Sequence, residues 1–149
     1  MRDLLLAYLH FVALFATYAL LVAELALLQL PPQPGRWRAL SRLDMGYFIG
    51  AGAVLATGLA RLFLGFKPAL YYWHDTWFHA LWVTFLLIGL ISIVPTVSFI
   101  RWAKAERAEP GFAPPAQALR HARGHVILEI LLFSVAPLFA VLMARGYGA

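Results

Sequence analysis

Four long apolar runs dominate the chain, at residues 4–30, 45–64, 77–100 and 126–144. Each has about the 20 residues, or more, that a helix needs to cross a hydrocarbon core of about 30 Å. The hydrophilic stretches between them are too short for a separate soluble domain. The pattern predicts an all-α fold, an integral membrane four-helix bundle in a single domain covering residues 1–149. The first run exceeds the apolar region of about 7–15 residues found in a secretory signal, and no small-x-small site precedes Pro31. It is expected to stay attached as the first span.

Polar residues interrupt these runs in a regular way. His10, Thr17 and Glu24 are seven residues apart, close to one stripe of the first helix. Asp44 is expected at the start of the second helix, where a carboxylate favours the positive end of the helix dipole. Just beyond it, Gly46-x-x-x-Gly50 allows close approach of a neighbouring helix. Pro95 and Pro137 fall inside the third and fourth runs and are expected to kink them. Tyr71, Tyr72, Trp73 and Trp77 form an aromatic set suited to a membrane–water interface. Residues 101–123, with their prolines, alanines and charges, read as a partly helical, mobile connection.

Composition strengthens the membrane reading. Hydrophobic residues make up 62% of the chain and charged ones 13%, against roughly 25% charged in soluble domains. There is no cysteine, which excludes disulfides, thiolate metal sites, iron–sulfur clusters and covalent c-type haem. No activated serine stands out either, which argues against a hydrolase.

The net charge is +5, and its placement orients the bundle. Arg36, Arg38, Arg42, Arg101, Lys104, Arg107, Arg120 and Arg123 fall in the first and third loops, while Arg2, Arg61, Lys67 and Arg145 fall on the other face. The positive-inside rule then puts the first and third loops in the cytoplasm and both termini on the outer, periplasmic side of a bacterial inner membrane. The expected partners are the lipid bilayer and its anionic headgroups, not nucleic acid. The Gly-rich second helix also leaves room for a homodimer or a membrane partner subunit.

With that topology, the polar residues collect into two layers. The outer one holds His10, His79 and Arg61, with His74 and Tyr71 or Tyr72 nearby; the inner one holds Glu24, Glu129, His125 and Asp44, with Arg42 and Arg101 at its border. A charge at the centre of a membrane helix costs about 2.5–3.5 kcal/mol on insertion scales, so such groups face the bundle interior or a cavity. Three uses are open for the inner layer. Glu24 and Glu129 can share a proton, they can hold a divalent metal together with His125, or each can pair with an arginine and fix helix packing. In the outer layer, two histidines on different helices at one depth are what bis-imidazole ligation of b-type haem requires. Arg61 and Lys67 would neutralise its propionates. Alternatively, both histidines bond backbone or water at the interface.

A-Y-L-H at 7–10, A-E-L at 23–25, A-T-G-L-x-R at 56–61, Y-Y at 71–72, G-L-I-S-I-x-P-T at 89–96, L-E at 128–129 and M-A-R-G at 143–146 together resemble the bacterial membrane family DUF2214. That resemblance spans nearly the whole chain and implies a four-helix membrane protein of open function. A more distant similarity is to four-helix proteins of the HemJ type, the protoporphyrinogen oxidases, and to CopD-like copper-resistance proteins. In those, a histidine opens the first helix, as His10 does, and W-x-H-A-K opens the third. Here that motif reads Trp77-Phe78-His79-Ala80-Leu81. The likeness implies haem b on His10 and His79 with a redox or haem-handling role. With Leu81 in place of the lysine, it does not imply protoporphyrinogen oxidation. The other class of function is a non-enzymatic proton or ion transporter, or an accessory subunit, that uses the Glu24/Glu129 layer.

Overall fold

The computed structural model describes residues 1–31, 33–65 and 67–147. Four long helices, α1 (Arg2–Gln29), α2 (Arg36–Leu64), α4 (Thr76–Ala108) and α5 (Ala116–Ala144), are joined by short connections, with a one-turn helix α3 (Ala69–Trp73) between α2 and α4. Each long helix is apolar and long enough to cross a membrane.

The helices run up and down in a ring. α1 packs on α2 and α5, α4 packs on α2 and α5, and the backbones of the diagonal pairs stay apart among the described residues. Both ends of the described chain therefore lie at one end of the bundle, with α3. The α1–α2 and α4–α5 connections lie at the other, basic end.

The outside is as apolar as the inside. Phe15, Phe48, Ile49, Leu86, Leu90, Leu131 and Leu138 are all exposed, as expected where lipid replaces water. The buried cluster sits toward the basic end, around Leu21, Leu28, Trp37, Leu40, Phe99, Trp102, Val126 and Phe133. Trp37 and Trp102 meet edge to face, their centroids 5.2 Å apart.

The helices extend further than the apolar runs. α2 begins at Arg36, not near 45, and α4 and α5 run through most of 101–123, leaving only 109–115 as a connection. These basic turns are helical because one stripe of each is buried: Trp37, Leu40, Asp44 and Tyr47 on α2, and Ala122, Val126, Glu129 and Phe133 on α5. Asp44 is thus more than two turns inside α2 and is no helix cap. Gly35 makes the turn into α2 with φ +82, a left-handed conformation that a side chain would strain.

Glu106 of α4 locks that turn. Its Oε1 accepts the Gly35 amide at 2.9 Å, and its Oε2 accepts the Arg38 amide at 3.1 Å and the Arg38 Nε at 3.3 Å. α4 itself starts on buried Asp75, whose Oδ1 accepts the Trp77 amide at 2.8 Å, a side-chain cap. Both helices that contain Pro95 and Pro137 continue past them without a break.

Candidate functional site

Interhelical contacts fix the register of every seam that matters. Along α1–α2, Arg2 Nη2 donates to the Leu64 carbonyl at 2.9 Å, and His10 bonds Thr57 at 2.9 Å. Further along, Thr17 faces Gly50 and Leu20 faces Gly46. That register sets Glu24 level with Asp44. Along α1–α5, Tyr18 donates to Ser134 Oγ at 3.1 Å, because the serine hydrogen is already given to the Ile130 carbonyl. Arg123 Nη2 donates to the Leu28 carbonyl at 2.7 Å on the same seam. Between those two ties, Glu24 comes level with Glu129.

Three carboxylates from three helices thus share one level of the bundle, and all are buried: Glu24 and Glu129 at 1% exposure and Asp44 at 5%. The fourth helix contributes Thr96, whose hydroxyl donates to Asp44 Oδ1 at 2.8 Å. The buried phenol of Tyr47, one turn beyond Asp44 on the same stripe, lies beside the Glu129 carboxylate. Glu24 Oε1 and Glu129 Oε1 have no hydrogen-bond partner among the described residues.

Among the described residues no cation forms an ion pair with any of the three. The one ion pair among the described residues is Arg38–Glu106, at the basic end. Pairing of each glutamate with an arginine, one of the three uses open to the sequence, is therefore not what the bundle does. No group of three His, Asp or Glu among the described residues is placed to hold a metal ion either. His125 is a turn from Glu129 but is rotated off the buried stripe. Its Nδ1 donates to the His121 carbonyl at 2.8 Å, and its ring lines a shallow groove with Arg120, His121, Gly124 and Leu128. Arg42 and Arg101 are exposed.

Tyr47 and Thr96 are the members that sequence reasoning missed. Tyr47 had a signal, since it lies three residues after Asp44 and so on the same helical face. Thr96 had none, because its partner is on another helix.

The outer layer does not assemble in the same way. Thr57 gives its own hydrogen to the Ala53 carbonyl at 2.7 Å, so it accepts from His10 Nδ1–H. The His10 ring is also packed against Gly58 of α2. Arg61 follows one turn after Thr57. His79 is exposed near the start of α4, with Nδ1 donating to the Asp75 carbonyl at 2.9 Å and its ring against Trp73 and Phe78. Phe78 takes the interior position there, at 6% exposure. His10 and His79 stand on diagonally opposed helices, one turned to α2 and the other outward. As arranged, they do not fit bis-imidazole haem ligation. His74 is exposed and bonds its own helix at the Leu70 carbonyl.

A family model described as "Predicted membrane protein (DUF2214)" matches residues 2–148. No curated protein and no solved structure matches the chain, so the HemJ-type and CopD-like likeness rests on its short motifs alone.

Proposed function

We propose that this chain, which belongs to the DUF2214 family of predicted membrane proteins, is a non-enzymatic membrane protein that binds and exchanges protons at the Glu24–Asp44–Glu129 cluster. The observation that carries the reading is the burial of three carboxylates at one level with no ion-pair partner among the described residues. Three negative charges cannot remain together in a medium that solvates none of them. Bound protons remove the charge with the groups at hand. The two unpartnered glutamate oxygens and the neighbouring Tyr47 and Thr96 hydroxyls offer acceptors and donors for a shared proton.

In this reading the basic end faces the cytoplasm of a bacterial inner membrane, following the positive-inside rule. The cluster lies nearer that end, since Glu24 is five residues from the last residue of α1, and protons enter and leave from the cytoplasmic side.

Infrared difference spectra of the protein in lipid test the proposal. A protonated-carboxyl band should weaken in Glu24→Gln and in Glu129→Gln and should change with pH in the wild type. Identical spectra for wild type and both variants at every pH would refute it. A band that instead disappears on adding sodium ions would make the cargo a metal cation exchanged for the proton.

A further inference from the structure

We infer that the basic end of the bundle holds a phosphate group at the last turn of α1, where Arg36 of α2 lines a cleft and Arg123 of α5 bonds the helix end. Arg36 is the first residue of its helix and carries a full charge, yet it is only 6% exposed. Its Nε and Nη2 have no hydrogen-bond partner among the described residues, and neither has the buried Nε of Arg123. The Trp37 ring lies 4.4 Å from the Arg36 guanidinium carbon. That contact steadies the cation but leaves those two nitrogens without acceptors. Arg123 is held in place by its Nη2 bond to the Leu28 carbonyl.

Both guanidinium groups thus stand at the last turn of α1, Arg36 in a cleft with Leu27 and Leu30 and Arg123 on the Leu28 carbonyl, and no carboxylate among the described residues pairs with either. Along the helix axes, Asp44 is about 12 Å from Arg36 and Glu129 about 9 Å from Arg123, at 1.5 Å per residue. Two adjacent cations with three unanswered buried donors need an anion with several acceptor oxygens. A phosphate group supplies them in the geometry that guanidinium favours. A carboxylate ligand would offer only two oxygens to the two forks.

The surroundings fit a phosphate at the membrane surface. Arg36 lines a cleft whose walls include Leu27, Leu30, Pro34 and Ala39. A charged edge over an apolar wall at the end of the spans is the arrangement a phospholipid headgroup and the start of its chains require. The α2 amides at Gly35 and Arg38 are already taken by Glu106, so the site rests on the arginines. It is independent of the proton cluster.

The test is the thermal unfolding midpoint of the full chain in neutral detergent, titrated separately with short-chain phosphatidylglycerol and with inorganic phosphate. Exposed Arg107, at the same end of the bundle, gives the control Arg107→Gln. Arg36→Gln and Arg123→Gln should each weaken the apparent affinity for phosphatidylglycerol at least about tenfold, as expected for loss of a charge-assisted hydrogen bond, and Arg107→Gln should not. If inorganic phosphate also saturates with the same arginine dependence, the site recognises the phosphate group itself. If only phosphatidylglycerol does, the ligand is the lipid headgroup. Should Arg36→Gln fail to fold, Arg36→Lys keeps the charge and loses the planar fork, and its affinity should fall below wild type. The inference is overturned if neither probe binds, if the Arg36 and Arg123 variants bind as the wild type does, or if Arg107→Gln weakens binding equally.

Discussion

The α1–α2 seam allows a graded test of close packing. A Cβ added at Gly50 would sit 2.5 Å from Thr17 Oγ1 and 3.3 Å from Thr17 Cβ; one added at Gly46 would meet Leu20 at 3.4 Å, and one at Gly52 would meet nothing within 4 Å. Gly→Ala in a helix gains about 1 kcal/mol of propensity wherever the site has room. Overpacking a tight contact costs about 1–3 kcal/mol, and at Gly50 the obstacle is a β-branched side chain buried on the facing helix. Gly52→Ala should therefore stabilise, Gly46→Ala should stabilise nearly as much, and Gly50→Ala should fall about 1–3 kcal/mol below Gly52→Ala. Pairing Gly50→Ala with Thr17→Ala removes the 2.5 Å contact and leaves the 3.3 Å one, so most of the loss should return. Unfolding in mixed micelles titrated with dodecyl sulfate, followed by circular dichroism, measures each variant against the wild type. If Gly50→Ala proves as stable as Gly52→Ala, the two helices do not approach as described.

Two further outcomes can be checked, one by the same unfolding titration and one in cells. Glu106 has a side chain 7% exposed and that of Arg38 is 48% exposed. Arg38→Ala should cost about 0–1 kcal/mol, as for an exposed pair, whereas Glu106→Ala strands the Gly35 and Arg38 amides and should cost about 1–3 kcal/mol; equal losses in the unfolding titration would deny Glu106 its role at the α2 turn. A reporter that works only in the periplasm, fused after Tyr147, should be active, and one that works only in the cytoplasm should be silent; the reverse would put the basic end outside.

The four spans were legible because lipid-facing and core-facing positions are both apolar, so each helix shows as an unbroken run. The same fact hid the helix ends. Arg36–Asp44 carries four charged residues and reads as a loop, although Trp37, Leu40 and Asp44 already follow a helical stripe. Depth counting along antiparallel helices was enough to level Glu24 with Glu129, because it needs only rise per residue. It carries no rotation, which is why it levels His125 with the cluster although the ring turns to a surface groove. The same limit applies to His10 and His79. Equal depth was readable, but facing directions were set by which side of each helix met a neighbour.

The carboxylate level also has a consequence for how the protein comes together. Glu24 and Asp44 belong to the α1–α2 hairpin, while Thr96 and Glu129 belong to the α4–α5 hairpin, and only the short stretch around α3 joins the two. Neither half contains the site. A chain cut between Gly65 and Thr76 would yield two fragments, each placing acidic groups in lipid without the groups that face them. The polar level comes into being at the moment of docking, and fragment complementation would restore the chemistry and the assembly together or not at all.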